Sequence, residues 1–408
     1  MNVLCIRCKG RGFCGRQQCP HQLKLNSKVK VKDLLKSDSF DSASPAPFVG
    51  RFGYPNVNIG ILAPPEKSED TWLYDAPKYW ANKNFQIPDI VDFRSSLINS
   101  RFNANVRVRN KFLEISQEVG MASLPVDLEF NLHQKPQFHL NADSTLAPTG
   151  PNAKLKQLEI TSNPKIHTKV DKVNSDVDLK ANEAILYLNK HGFDENFLSK
   201  MLSVGTIGVK KDRKLVPTRW SITATDDMLG KNLIKEIKDY KESEYFAYFG
   251  GYLGNYYLFL FFPEVWSYEL FETYMPNASY NTSEEMAFTT DFESYDGRKN
   301  YASNTAGGYY TSRLAILEEL SSMKRQSSVL SIRVITGEYS IPLGVWVTRE
   351  ASRKSLANKP LQFSSKELML QYAENLVKTK FGFDLDKIIN NSKLLKNISQ
   401  QKKLTKFF

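Results

Sequence analysis

The sequence predicts a mixed α/β body flanked by a small zinc-knuckle module and a flexible C-terminal tail. Three observations lead there. Strand-like runs alternate with helix-like periodicity through the middle of the chain. All four cysteines fall within residues 1–19. The last stretch carries Lys393, Lys396, Lys402, Lys403 and Lys406 with no acid after Asp386.

Composition sets the outer bounds. The chain has 408 residues, 41% apolar and 24% charged, enough to bury a sizeable core. Lys and Arg number 55 against 44 Asp and Glu, a formal charge of +11. The excess is concentrated at both ends, where Asp33 is the single acid in residues 1–36, and it favours a polyanionic partner. The opening segment has no apolar core of a signal peptide. The longest apolar run, at 256–262, is far short of the about 20 residues of a bilayer span. A cytoplasmic protein without a membrane partner is expected.

In chain order the expected segments are a cysteine module (1–22), a basic then Ser/Pro-rich linker (23–47), two parts of the body (48–150 and 151–383), and a helix with tail (384–408). The module reads CIRCKGRGFCGRQQC, with Cys5, Cys8, Cys14 and Cys19 as candidate ligands. Four thiolates make a closed tetrahedral site for one structural Zn²⁺. Gly10, Gly12 and Gly15 suit the tight turns of such a knuckle. So short a segment has little core of its own, and the metal supplies most of its folding energy. His21 in place of Cys19 is a variant of the same site. Two disulfides are the alternative, disfavoured in a reducing compartment. Arg7, Lys9, Arg11 and Arg16 either contact a nucleic-acid backbone or solvate the clip.

In the body, KFLEISQ (111–117) and DLEFNL (127–132) alternate as strands, and YYLFLFF (256–262) reads as a buried strand. Residues 133–150 suggest a boundary or an exposed crossing. Helices are expected over 178–192, with a stop at Gly192, and over 226–240, opened by Asp226 and Asp227. A further helix is expected over 364–382, with a Ser364/Glu367 capping box and a stop at Gly382. Residues 384–398 form a short amphipathic helix that packs on its own protein.

The tail fits Gln-x-x-aliphatic-x-x-aromatic-aromatic through Gln401, Leu404, Phe407 and Phe408. This resembles the motif by which replication and repair proteins dock on the sliding clamp PCNA. One tight helical turn puts the three apolar side chains on one face. Burying them is worth roughly 1.5–3 kcal/mol each before ordering costs. A tail packed on its own protein is the alternative.

With both ends read, long segments of the middle acquire a context. FVGRFGYPNVNIGIL (48–62), ITSNPKIHTKVDKVNSDVDLKA (160–181), RKLVPTRWSITATDD (213–227), GGYYTSRLAILEEL (307–320) and YSIPLGVWVTRE (339–350) resemble the archaeal Nre family of DNA repair proteins. The resemblance spans nearly the whole chain. It implies a role in DNA damage repair through PCNA, with DNA and other repair factors as partners. It also assigns zinc to Cys5, Cys8, Cys14 and Cys19, and clamp docking to Gln401, Leu404, Phe407 and Phe408. It carries no catalytic mechanism over, so the enzyme question stays open.

An enzymatic reading would place a nucleotide or phosphate pocket between 213–227 and 300–313. Its candidates are Arg213, Lys214, Arg219, Asp226, Asp227, Gly307, Gly308 and Arg313. Basic and hydroxyl groups bind phosphate, and a Gly-rich loop before a helix can cradle it. Asp226 and Asp227, or Asp176 and Asp178, could hold Mg²⁺. The structural alternatives are helix caps for the aspartates and a plain glycine turn beside tyrosine packing. Arg219-Trp220 either stacks on a base or closes a core. A non-catalytic, clamp-docked adaptor is the remaining reading.

Overall fold

The computed structural model describes Cys8, Arg11, Phe13 and residues 19–34, 37–107, 110–136, 147–276, 278, 280, 281, 283–305 and 307–400. The chain divides into two compact units. The first reaches Leu229 and takes in Ile341–Leu343; the second holds Gly230–Ser340 and resumes at Gly344.

The first unit is built on a six-stranded sheet in the order β1-β5-β6-β4-β3-β2. Its strands are β1 (Ser39–Ser44), β2 (Ala46–Val49), β3 (Asn56–Ala63), β4 (Ile98–Asn105), β5 (Val126–Leu132) and β6 (Asn152–Ile160). All pairings are antiparallel except β4 with β6. Side chains alternate on β3, where Val57, Ile59, Ile61 and Ala63 enter the core, and on β5, where Val126, Leu128, Phe130 and Leu132 do. A register shift after Asn131 moves the inward positions of β6 from Leu155 to Leu158.

Helix α1 (Pro20–Leu34) packs against α3 (Ile87–Ser96), which follows the short α2 (Pro77–Asn82). Helix α4 (Lys111–Met121) closes the sheet's core with Leu113, Ile115 and Val119. Three further helices, α5 (Thr168–Ser175), α6 (Ala181–Lys190) and α7 (Glu195–Ser203), follow β6.

Helix α8 (Thr218–Ile237) crosses the division between the units. The second unit carries another six-stranded sheet, in the order β10-β9-β11-β8-β7-β12. Its strands are β7 (Tyr245–Tyr252), β8 (Asn255–Phe262), β9 (Ser267–Tyr274), β10 (Ala287–Glu293), β11 (Ser328–Ile335) and β12 (Leu361–Phe363). Only β9 and β11 run parallel. Every residue of β11 is buried, as expected of a strand covered on both faces. On one face lie α9 (Tyr309–Met323) and α10 (Trp346–Leu356). On the other, α11 (Lys366–Phe381), α12 (Asp386–Asn391) and α13 (Lys393–Gln400) meet Leu258, Leu260, Leu330 and Ile332.

Several expectations need correction. The expected linker at 23–47 is α1 followed by β1 and β2, so the folded body already includes α1 and does not begin at Phe48. Ser42 and Ser44 are buried there, and Ser44 Oγ donates to the Leu62 carbonyl at 2.7 Å. Residues 111–117 are helical: Asn110 accepts from the Leu113 N–H at 2.9 Å as an N-cap. The expected boundary at 150/151 lies within one sheet, since β6 pairs with both β4 and β5. Helix α11 is capped by Ser365, one residue later than expected, and ends at Gly382 as expected. The run at 384–398 packs at home, but as two helices parted at Ser392.

That break has a clear cause. Glu269 on β9 is fully buried and caps α13. Its carboxylate accepts from Ser392 Oγ at 2.6 Å and from the N–H groups of Lys393 and Leu394 at 3.0 Å each. Burial raises the Glu269 carboxyl above its usual range, against the lowering effect of these donors. No described helix is long and apolar enough to cross a membrane. Replacing Glu269 with Ala strands these donors, and the unfolding free energy should fall by about 1–3 kcal/mol. Chemical denaturation reads this directly; an unchanged midpoint would count against the cap.

Candidate nucleic-acid interface

Three segments of the first unit, distant in sequence, are tied together by hydrogen bonds. The turn at 50–55 joins β2 to β3. The end of β4 continues to Val106 and Arg107. The irregular stretch 213–217 leads into α8. Thr218 Oγ1 accepts from the Val49 N–H at 2.9 Å. The Val106 N–H donates to the Pro55 carbonyl, and the Leu215 N–H to the Val106 carbonyl, each at 3.0 Å.

The turn itself is set by local chemistry. Gly50 N–H pairs with Asn58 at 2.8 Å and Asn56 N–H with Gly53 at 2.9 Å. Gly53 adopts φ +82°, and a Cβ there would sit 2.7 Å from the Asn56 carbonyl oxygen. The Tyr54–Pro55 peptide is cis. The residues between have no core to enter and project into solvent.

What projects is aromatic and basic. Phe52 is 79% exposed, Trp220 46% and Tyr54 42%. The Tyr54 and Trp220 rings lie 5.5 Å apart, tilted by 51°. The Arg51 guanidinium sits 5.0 Å from the Phe52 ring centre. Arg51, Arg107, Lys214 and Arg219 are all exposed. No acid occurs in 49–58, 105–107 or 213–221. Cations beside open ring faces suit a phosphate backbone whose bases stack on protein.

Of the pocket candidates, Lys214 and Arg219 belong to this surface, and Trp220 is at the surface rather than in a core. Arg213 has a structural task. It donates to the carbonyls of Gly208 at 2.6 Å, Asn174 at 2.8 Å and Asp176 at 2.6 Å, closing the end of α5. Asp176 Oδ1 accepts from the Asp178 and Leu179 N–H groups at 3.0 Å each, a turn rather than a cation site. Asp226 and Asp227 do not open a helix: α8 begins eight residues before Asp226, directly after Pro217. Asp226 is fully buried.

Gly307, Gly308 and Arg313 fall in the second unit, and residues 213–227 in the first. Several N–H groups of this loop are already engaged. Asp291 Oδ2 accepts from Asn304 N–H at 3.0 Å, from Thr305 N–H at 2.9 Å and from Thr305 Oγ1 at 3.0 Å. The Gly308 N–H donates to the Thr305 carbonyl at 3.2 Å. A Cβ at Gly308 would fall 2.2 Å from Glu272 Oε1, so the space beside it holds the protein's own carboxylate. Glu272 pairs in turn with Arg333, whose Nε also donates to Asn255 Oδ1 at 3.1 Å. Arg313 is buried and paired with Glu293 Oε2 at 2.8 Å. Its guanidinium lies 5.1 Å from the Tyr310 ring centre.

Of the expected zinc ligands, Cys8 and Cys19 are described, and neither is joined in a disulfide. Cys8 is buried and its Sγ accepts from the Phe13 N–H at 3.3 Å. Cys5 and Cys14 lie outside the described residues. So do Gln401, Leu404, Phe407 and Phe408. Among the described residues there is no group of three or more His, Cys, Asp or Glu placed to hold a metal ion.

Arg51, Phe52, Tyr54 and Arg107 were not picked out from sequence. A signal was present in GRFGYPN, where rings and an arginine share a glycine-proline turn with no room for a core.

Residues 13–281 match the archaeal Nre N-terminal family, and residues 293–407 match the archaeal Nre C-terminal family. The chain belongs to the archaeal Nre family. DNA repair protein NreB of Archaeoglobus fulgidus is 37% identical over 97% of this chain and 98% of its own. DNA repair protein NreA of the same organism is 37% identical over 93% and 95%. NreA of Haloferax volcanii is 36% identical over 79% and 80%. No solved structure matches this Nre chain.

The Arg313–Glu293 pair gives a test of its structural role. Arg313→Leu leaves a buried carboxylate without its guanidinium and should lower stability by about 3–5 kcal/mol. Nucleic-acid affinity measured below the new melting range should be unchanged. A stable Arg313→Leu protein with lost nucleic-acid affinity would return Arg313 to the binding site.

Proposed function

We propose that this Nre protein acts in DNA damage repair, docked on a sliding clamp by its tail and contacting DNA through basic surfaces. The observation that carries this reading is similarity over nearly the full length to proteins named DNA repair proteins NreA and NreB. The exposed cations Arg51, Arg107, Lys214 and Arg219, in segments that carry no acid, support it, because sequence-independent phosphate contact draws on exposed Lys and Arg.

The tail supplies recruitment. Gln401, Leu404, Phe407 and Phe408 present the clamp-docking pattern. The helix before them is fixed to the second unit by Glu269 and by Leu394 in the core. A peptide leashed to a folded body raises that body's local concentration wherever the clamp encircles DNA. Changing Leu404, Phe407 and Phe408 together to Ala should abolish retention on immobilised PCNA and leave the thermal melt unchanged. Retention of the triple variant would refute the docking role.

The cysteines supply a structural ion. Cys8, with a backbone N–H donating to its sulfur, fits a thiolate ligand supported by its own turn. Cys5, Cys8, Cys14 and Cys19 would complete a four-thiolate set that braces the basic N-terminus. Elemental analysis should find about one zinc per chain, absent after Cys5→Ser and Cys8→Ser. Full metal content in that double variant would remove the assignment.

A further inference from the structure

We infer that the surface formed by Arg51, Phe52, Tyr54, Arg219 and Trp220 is a stacking platform for unpaired DNA bases. The inference deepens the DNA-binding reading above and rests on it.

Exposure is the first argument. Phe52 has 79% of its surface open, and Tyr54 and Trp220 each remain more than 40% open, yet the segments that carry them are fixed by backbone hydrogen bonds. A backbone fixed before any ligand arrives lowers the ordering cost of binding, and the Tyr54 and Trp220 rings already rest on each other. Isolated exposed rings are ordinary; three in one arginine-bearing cluster are not explained by the fold.

Chemistry names the ligand. A duplex hides its base faces in its own stack, so open aromatic faces gain little from it. An unpaired strand offers both base faces and a phosphate backbone alongside. Tyr54 and Trp220, 5.5 Å apart, form one bent aromatic surface. Phe52 is backed by the Arg51 guanidinium, 5.0 Å from its centre. Arg219 precedes Trp220 in the first turn of α8 and is exposed. The absence of acid in these segments removes the repulsion a phosphate chain would otherwise meet.

The test uses the full chain and three probes of equal length: a labelled oligo(dT) strand, the same backbone with abasic sites, and a blunt duplex. Phe52→Ala and Trp220→Ala should each weaken oligo(dT) binding by about tenfold to a hundredfold. They should leave the abasic strand and the duplex nearly unaffected. Trp220→Phe should restore most of the affinity, because a ring face is kept. Arg51→Ala with Arg219→Ala should weaken oligo(dT) and abasic strands together and flatten the salt dependence. Quenching of Trp fluorescence by oligo(dT), lost in Trp220→Ala, would support direct stacking. Equal oligo(dT) affinity in the alanine variants and the parent would overturn the platform while leaving DNA binding intact. An equal loss on duplex and strand would overturn it too. A parent chain that binds none of the three probes would sink the DNA-contact reading itself, independently of clamp retention.

Discussion

The second unit depends on one constraint: a sheet covered on both faces cannot carry an unpaired charge. Its strands carry Glu269, Glu272, Glu293 and Arg333 into that interior. Removing each charge from water costs several kcal/mol unless a partner is supplied. Each partner therefore fixes a neighbouring element. Glu269 fixes the start of α13, Glu293 fixes α9 through Arg313, and Glu272 holds Arg333 beside the Gly308 turn. Polar groups in the glycine loop, attractive as ligands when read from sequence, are consumed by this internal accounting.

The first unit solves a different problem. Its sheet presents alternating side chains to one core, and its turns need not be buried. The 50–55 turn is consequently available for contact with another molecule. The same unit uses Arg213 to close a helix end and leaves Arg219 in solvent. Two arginines six positions apart thus differ in role because one faces spare carbonyls and the other faces none.

Much of the architecture was legible where one signal dominated. The apolar run at 256–262 is β8, the alternation at 127–132 is β5, and Gly382 stops α11. Legibility failed where two signals coincided. In KFLEISQ, Leu113 and Ile115 mimic a two-residue period, and only Asn110 and the later Val119 and Met121 betray a helix. TRWSITAT is poor in helix formers, yet it is helical, with Ser221 and Thr225 buried one turn apart. The serine-rich stretch at 39–44 reads as a linker because its hydroxyls look solvated, whereas β5 and β3 take them in.

The sequence by itself determined the mixed α/β class, the family, the basic ends and the chemistry available in cysteines and tail. These are properties of local pattern and composition, which need no distant partner. Tertiary structure decided which polar groups are spent internally and which face solvent. That choice depends on pairings between residues some fifty to more than a hundred positions apart, such as Val106 with Pro55 and Val49 with Thr218. Burial is a property of the folded surface, so no window of residues contains it.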